Sequence, residues 1–180
     1  YEIPVNFERD QLGDRILTKF KLRSRKRDMS EWTNMVKTVQ NISNTIRIGI
    51  VGKYFESGAF TLADSYLSVI EAIKHASWQL KQKPIIEWLN AEDYEKTPAS
   101  LKELDAYDGI IVPGGFGSRG VEGKIKAIQY CREHAIPYLG LCYGLQLAVI
   151  EFARNVCGFQ DAHTTEVNPK TPYPVIHTMP

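Results

Sequence analysis

The sequence lacks most of the features that mark a specialised class of protein. No apolar run approaches the roughly 20 residues that cross a bilayer, and no signal peptide is visible. Cys131, Cys142 and Cys157 form neither a disulfide framework nor a metal-binding pattern, which favours a reduced, cytoplasmic protein without a bound metal. The net charge of +1 gives no overall attraction to nucleic acid or to a membrane, so neither is expected as a partner.

The overall composition is that of an ordinary globular protein, but residues 1–45 carry an excess of positive charge. Hydrophobic residues make up 43% of the chain and charged residues 24%, as in soluble domains. Residues 1–45 carry nine Lys/Arg against six Asp/Glu, and six of these basic residues fall within residues 19–27. Since no aromatic or glycine pattern accompanies them, we interpret this stretch as a solvated linker rather than a nuclear-targeting or nucleic-acid patch.

Residues 1–45 are predicted to hold three short elements. Residues 1–5 read as a strand, and the spacing of Leu12, Ile16 and Phe20 predicts an amphipathic helix. Neither element can bury its apolar face alone, so both are expected to end a preceding domain. Ser30 is predicted to cap a further helix that runs to about residue 42. Because the chain begins with Tyr rather than Met, we expect it to be part of a longer protein.

From residue 45 onwards, strands and helices are predicted to alternate. The predicted strands are residues 46–51, 84–89, 109–112 and 137–141, with a further strand beginning at Val175 and Ile176. The predicted helices are residues 64–81, 98–104 and 122–134, the first with Leu67, Ile70, Ile73 and Leu80 facing inward. Residues 155–166 are expected to form a loop. The alternation is typical of an α/β fold with a parallel sheet flanked by helices, in which ligands bind at the carboxyl ends of the strands.

Cys142 lies where an apolar strand turns directly into a helix, within Gly140-Leu-Cys-Tyr-Gly144. One face of that helix is formed by Leu145, Ala148, Val149 and Phe152. Glycines on both sides let the strand and the helix crowd together, and the helix N-terminus favours a thiolate. The pattern matches the G-x-S-x-G nucleophile elbow with cysteine in place of serine. Taken alone, it fits a buried, unreactive cysteine equally well.

The glycine-rich loop at residues 113–120 can be interpreted in two ways. It contains G-x-G-x-x-G, but a dinucleotide fingerprint belongs to the first βαβ unit and needs an acidic residue after the next strand, where Cys142 lies. In the second interpretation the loop contributes to an oxyanion hole. The N–H of Gly114 or Gly115, with that of Tyr143, would then stabilise the alkoxide that forms when a thiolate attacks a carbonyl. Only the second interpretation explains both loops at this edge.

These motifs together resemble a known family. The likeness is to the class I (triad) glutamine amidotransferase domain of the CTP synthase family, and it covers nearly the whole chain. The stretches that carry it are residues 1–4, 52–54, 64–66, 68–72, 112–124, 137–156 and 164–166. The resemblance implies that residues 1–22 are the tail of a synthetase domain and residues 23–44 a basic linker and helix. Residues 45–180 are then an amidotransferase domain, incomplete at its C-terminus.

The resemblance implies a function and a set of site residues. The chain would hydrolyse glutamine to glutamate and ammonia, and the ammonia would aminate UTP to CTP. Cys142 would be the nucleophile, with Gly115 and Tyr143 as the oxyanion donors. The implied glutamine-binding residues are Gly115, Tyr143, Gly144, Leu145, Gln146 and Glu166. The implied lid, linked to activation by GTP, includes Arg119, Gly120 and Glu122.

The same resemblance implies the ligands and partners of the protein. L-glutamine is the expected substrate, and the synthetase domain of the same chain is the expected partner, within a homotetramer. ATP, UTP and Mg²⁺ are expected in that synthetase domain, and GTP is expected as an allosteric activator. No cofactor is expected in the amidotransferase domain itself.

The sequence departs from the family pattern at two points. Tyr143 stands where the family has Leu, which places a larger side chain beside the pocket. The general base of the family is a histidine in a His-x-Glu pair that would lie beyond residue 180. His75 is expected at the surface and His134 in a structural role, while His163 replaces an Asn and His177 lacks the following acid. The chain alone is therefore expected to be nearly inactive.

Two other functions stay open at this point. The elbow would also suit a cysteine-dependent α/β hydrolase, which needs an Asp and a His on later strands. Alternatively, the chain could be a catalytically dead amidotransferase-like module used in regulation or assembly. Such a module should tolerate Cys142→Ala, whereas an enzyme should not.

Overall fold

Before residue 45, every regular element that the structure describes is a helix. A computed structural model describes residues 1–52, 66–115 and 118–177, so the features predicted at residues 53–54 and at residue 64 lie outside it. Helix α1 spans Ile3–Arg9 and α2 spans Leu12–Lys19, which confirms the second prediction. The strand predicted at residues 1–5 is wrong. Pro4 lies in the first turn of α1, where its fixed φ suits a helix and its missing N–H costs nothing.

Ser30 begins helix α3, Ser30–Gln40, rather than capping it. Met29 is the N-cap residue and provides no side-chain cap, but the carboxylate of Asp28 lies beside the start of the helix. It accepts hydrogen bonds from the Ser30 backbone N–H at 2.9 Å and from the Ser30 hydroxyl at 2.6 Å. The negative charge of this carboxylate is favourable beside the helix N-terminus.

A four-stranded parallel sheet forms the centre of the domain, as the sequence predicts. Its strands are β1 (Thr45–Gly52), β2 (Lys83–Asn90), β3 (Gly109–Val112) and β4 (Tyr138–Gly140). They lie in the order β2-β1-β3-β4. Val112 pairs with Gly140 at the carboxyl ends of β3 and β4. The glycine-rich loop after β3 and the elbow after β4 therefore leave the same edge of the sheet side by side.

The connections between the strands are helical. They are α4 (Leu67–Gln79), α5 (Ala91–Lys96), a 3-10 helix (Pro98–Ala106), α6 (Val121–Glu133) and α7 (Tyr143–Asn155). Strands β5 (Ala162–Thr164) and β6 (Tyr173–Ile176) form a separate parallel pair. The strand at Tyr173–Ile176 confirms a prediction, whereas β5 interrupts the loop predicted at 155–166. None of the helices among the described residues has the length and apolar character needed to span a membrane.

The main core lies between one face of the sheet and helices α5, α6 and α7. Alternate residues of the strands face it, including Val51, Leu89 and Val112. The prediction that Leu67 and Leu80 face inward is wrong, since they are 55% and 71% exposed. Leu67 is the first residue of helix α4 and Leu80 follows its last residue, so both lie at the ends of the helix.

Helices α6 and α7 are joined by a buried charge. The side chain of Glu151 is 2% exposed, and it pairs with Arg132 at 2.8 Å. The Arg132 Nε also donates to both carboxylate oxygens at 3.1 Å, and the Asn155 amide donates at 3.1 Å. A carboxylate this deep is tolerated only because these donors replace its water shell.

Replacing Arg132 by methionine is expected to destabilise the domain by about 3 kcal/mol, because the change leaves the Glu151 carboxylate buried without its cation. Urea unfolding followed by tryptophan fluorescence measures this free energy. Glu133→Gln is the matched control, because Glu133 contacts Arg132 at 3.4 Å on the surface and its loss should cost under about 0.5 kcal/mol. Equal stability of the two variants would contradict the assignment of the buried pair.

Candidate active site

Cys142 forms a sharp turn between β4 and α7. Its backbone has φ 52° and ψ −109°, and its side chain is exposed. A non-glycine residue with positive φ is unfavourable in isolation, so the surrounding structure must hold it there. The thiol therefore stands free at the sheet edge on a strained turn, as the sequence pattern for a nucleophile elbow predicts. The alternative of a buried, inert cysteine is wrong for Cys142.

Two glycines make this turn possible. A Cβ on Gly140 would lie 2.6 Å from the backbone of Gly144 and Leu145. A Cβ on Gly144 would lie 2.0 Å from the carbonyl oxygen of Val112. Both contacts are with backbone atoms, which cannot rotate away as a side chain can. Helix α7 consequently starts in direct contact with β3 and β4, and this contact fixes the position of Cys142.

The glycine-rich loop reaches the thiol. A Cβ on Gly114 would lie 3.4 Å from the Cβ of Cys142 and 3.7 Å from its Sγ. The structure thus brings the two predicted loops together, which the sequence alone indicates only through strand order. Neither the N–H of Gly115 nor that of Tyr143 donates a hydrogen bond to any residue within the described ranges. Both groups are therefore available to a ligand beside the thiol.

Residues of α6, α7 and β5 form a charged cluster around Arg154. Arg154 Nη1 lies 2.9 Å from the Glu122 carboxylate, and Arg154 Nε donates to the carbonyl of Ala162 at 2.7 Å. His163 Nε2 lies 3.9 Å from Glu122. Burial and then the charge of Arg154 lower the pKa of His163, while Glu122 opposes the shift. Neutral His163 can accept the Thr164 N–H at its Nδ1, at 2.9 Å.

The family of the chain follows from this geometry together with sequence comparison. Residues 61–177 match the family described as glutamine amidotransferase class-I. This match contains the elbow, the glycine-rich loop and the charged cluster. The chain belongs to the class I glutamine amidotransferase family. Membership favours the amidotransferase interpretation of Cys142 over the α/β hydrolase one.

Named relatives of this amidotransferase point to one branch of the family. The chain is 50% identical over 180 residues to a CTP synthase of Pyrococcus furiosus and 47% identical over 181 residues to one of Bacillus velezensis. These matches cover 100% of the chain but 32% of each relative. The chain thus spans about a third of the length of the curated relatives that it matches.

A solved structure supports the same relationship. It is the glutaminase domain of Trypanosoma brucei CTPS with bound acivicin. It shares 40% sequence identity with this amidotransferase at a TM-score of 0.68, over 75% of this chain and 50% of the other. The predicted class I amidotransferase fold, a parallel sheet flanked by helices, is thereby confirmed.

Both charged residues of the predicted lid are engaged within the amidotransferase. Arg119 is 73% exposed and pairs with Glu92 of α5, and Glu122 pairs with Arg154. Gly120 precedes α6 with φ 72°, a conformation that glycine adopts without strain. Sequence reasoning missed both Glu92 and Arg154, since nothing in their local pattern indicates a distant ion pair.

The remaining predicted binding residues occupy different environments. Leu145 lies on an outward face of α7 and is 59% exposed. Gln146 is half-buried, and its backbone N–H donates to the carbonyl of Cys142 at 3.2 Å. Glu166 is exposed in the turn after β5, where its backbone N–H donates to the Thr164 hydroxyl at 3.2 Å. The Tyr143 side chain, which the sequence places beside the pocket, is 3% exposed.

In the part of the chain that the structure describes, no histidine forms a dyad with Cys142. No histidine nitrogen lies within hydrogen-bonding distance of the Cys142 thiol there. His75 is on the surface beside Tyr1, and His134 stacks on Tyr130 at 3.7 Å between ring centroids. Within the same residues, no group of three or more His, Cys, Asp or Glu side chains is arranged to hold a metal ion.

Proposed function

We propose that this chain is the glutamine-hydrolysing part of a CTP synthase. The observation that carries the proposal is the exposed thiol of Cys142 on a glycine-lined elbow, in a chain 50% identical over its full length to a CTP synthase. In the whole protein, the ammonia released from L-glutamine is transferred to UTP in an ATP-dependent step. The partners of the chain are then the synthetase domain and, in the assembled enzyme, three further copies in a cytoplasmic homotetramer.

The chemistry begins with attack of the Cys142 thiolate on the glutamine carboxamide. The N–H groups of Gly115 and Tyr143 stabilise the resulting alkoxide, and both are free of other partners among the described residues. A general acid protonates the amide nitrogen of the tetrahedral intermediate, and the C–N bond then breaks, which releases ammonia and leaves a thioester. Water then hydrolyses the thioester to glutamate and restores the thiol.

The substrate is held by groups around the elbow. Gly144, Leu145 and Gln146 form the first turn of α7 directly after the nucleophile, and Gly115 approaches from the neighbouring loop. Glu166 binds the α-ammonium group of glutamine through its carboxylate. This assignment is supported by the exposure of Glu166 and by the lack of any hydrogen bond or ion pair to its carboxylate within the described residues.

GTP activation acts on the lid residues Arg119, Gly120 and Glu122. Support comes from chemistry, since Arg119 offers a guanidinium suited to phosphate and Glu122 an acceptor suited to a base or a sugar. Both are paired internally, with Glu92 and Arg154, so the activator must exchange at least one of these contacts. ATP, UTP and Mg²⁺ would bind in the synthetase domain, where phosphorylation of UTP by ATP prepares it for amination.

Two preparations test this function. In the first, the purified chain alone is expected to release ammonia from glutamine no faster than background, because Cys142 has no histidine partner among the described residues. In the second, the chain replaces the 180 matched residues of the Pyrococcus furiosus enzyme, and this chimera is expected to make CTP with glutamine as the nitrogen source. Robust glutaminase activity of the chain alone, or a chimera that uses only free ammonia, contradicts the proposal.

A further inference from the structure

The aromatic ring of Tyr1 contacts two helices that are distant from it along the chain. Its centre lies 4.9 Å from that of Trp78 on α4, edge to face, and 6.2 Å from that of Trp32 on α3, with the planes inclined at 25°. The Trp32 indole N–H also donates to the Tyr1 carbonyl at 2.9 Å. Aromatic pairs at such distances attract one another beyond the area that they bury. The first residue is therefore held on α3 and α4 together.

The hydroxyl of Tyr1 meets two polar groups of α4. It donates a hydrogen bond to the Glu71 carboxylate, and it lies 2.5 Å from His75 Nε2. A carboxylate is only an acceptor, so the single phenol proton points to Glu71, and His75 Nε2 carries the proton that it donates to the phenol oxygen. Glu71 is fixed in turn by Lys74 at 2.7 Å. Both the ring and the hydroxyl of Tyr1 consequently have defined partners.

The residues of α4 that receive Tyr1 lie on one face of the helix. Glu71, His75 and Trp78 follow one another at intervals of four and three residues, which places them side by side. Ile73 and Ser77, which are 8% and 6% exposed, lie on the opposite face. The face that contacts Tyr1 is thus separate from the face that α4 buries within the domain. We call the four partners of Tyr1 the Tyr1 socket: Trp32, Glu71, His75 and Trp78.

Helices α1 and α2, which follow Tyr1, have no comparable attachment. Neither helix contains a buried residue. Ile3, Phe7 and Phe20 are 60%, 51% and 70% exposed. Large apolar side chains exposed together indicate a surface that another domain covers. The proposed function takes residues 1–22 as the end of the synthetase domain, so Tyr1 lies where that domain meets α4.

We propose that the Tyr1 socket fixes the orientation of the synthetase domain on the amidotransferase domain, so that released ammonia passes to UTP instead of escaping into water. This inference rests on the proposed function, since it takes ammonia as the molecule that passes between the domains. Ammonia that escapes is protonated at neutral pH and is then no nucleophile, so a loose junction loses product. The socket lies on α3 and α4, whereas Cys142 lies between β4 and α7, so Tyr1 acts on transfer and not on hydrolysis.

The first test measures docking of Tyr1 in the 180-residue chain. Tyr1→Ala removes the ring and the hydroxyl but keeps the carbonyl that accepts from Trp32. Exchange of the Trp32 indole proton with water, measured by NMR, is expected to become about tenfold faster, the ratio that corresponds to loss of one aromatic contact. Tyr173→Ala is the matched control, because Tyr173 is 43% exposed against 42% for Tyr1 and packs on Phe159 outside the socket. Equal exchange in Tyr1→Ala and the unmodified chain would overturn the inference.

The second test measures ammonia transfer in the chimera with the Pyrococcus furiosus enzyme. In Tyr1→Ala, the ratio of CTP formed to glutamate released is expected to fall at least about twofold, because the domains spend time apart. Glutamate release and CTP formation from free ammonia are expected to stay unchanged, since neither the thiol nor the synthetase site is altered. A merely structural role of Tyr1 would lower both of these rates and leave the ratio unchanged, which would refute the inference.

Tyr1→Phe separates the hydroxyl from the ring. It is expected to lower the ratio less than Tyr1→Ala does, and to have no further effect once Glu71 and His75 are both alanine. An undiminished effect in that background would exclude these two residues as the partners of the hydroxyl. If the chimera with unmodified Tyr1 makes no CTP from glutamine, the proposed function fails and the role in transfer fails with it. An unchanged ratio in Tyr1→Ala, with an active unmodified chimera, removes the inference alone.

Discussion

Replacement of Cys142 by alanine is expected to lower glutamine-dependent CTP formation by more than ~10³-fold, since no thioester can form without the thiol. The measurement uses the chimera with the Pyrococcus furiosus enzyme and follows CTP by its absorbance. CTP formation from free ammonia is expected to persist, because that reaction bypasses the elbow. The two nitrogen sources therefore separate loss of glutamine chemistry from loss of the fold.

Cys157→Ala is the matched control for this prediction. Cys157 is also free and exposed, and it follows the other end of helix α7. The Cys157→Ala variant should retain both activities. Retention of glutamine-dependent activity in Cys142→Ala would instead mean that the chain is a catalytically inactive module.

The substitution Gly144→Ala is expected to destabilise the domain by more than ~4 kcal/mol. Its methyl group would lie 2.0 Å from the Val112 carbonyl oxygen, so β3 and α7 would have to separate. Separation would break the close packing on which the core depends and would move Cys142 away from the Gly114 loop. The expected result is a protein that is largely unfolded or insoluble at 25 °C, as measured by circular dichroism and by the soluble fraction on expression.

Gly109→Ala provides the comparison on a neighbouring strand. A Cβ there would meet its nearest atoms at 3.6 Å, which is ordinary contact, so its stability should change by under about 0.5 kcal/mol. The difference between the two variants isolates the close approach of the elbow from the general effect of replacing a glycine. A folded Gly144→Ala protein with near wild-type stability would show that the strand and the helix can separate without loss.

Local patterns predict much of the fold. Short apolar runs bounded by turn residues indicate the strands at Gly109–Val112 and Tyr173–Ile176, and helical spacing indicates α6. The sequence-based prediction is wrong where a local pattern is compatible with both a strand and a helix. The segment containing Pro4 reads as a strand because its apolar residues alternate, although proline also suits the first turn of a helix.

The sequence by itself determined that Cys142 lies on an elbow opposite a glycine-rich loop. This prediction was possible because strand-to-helix turns and the absence of Cβ atoms are local properties, and because parallel strands place their carboxyl ends together. Only the tertiary structure decided that Arg154 pairs with Glu122 and Arg119 with Glu92, and that the Tyr143 hydroxyl is left without a partner. These facts depend on how α5, α6, α7 and β5 pack against one another. Packing brings together charges that are distant along the chain, and burial then decides which of them must be paired.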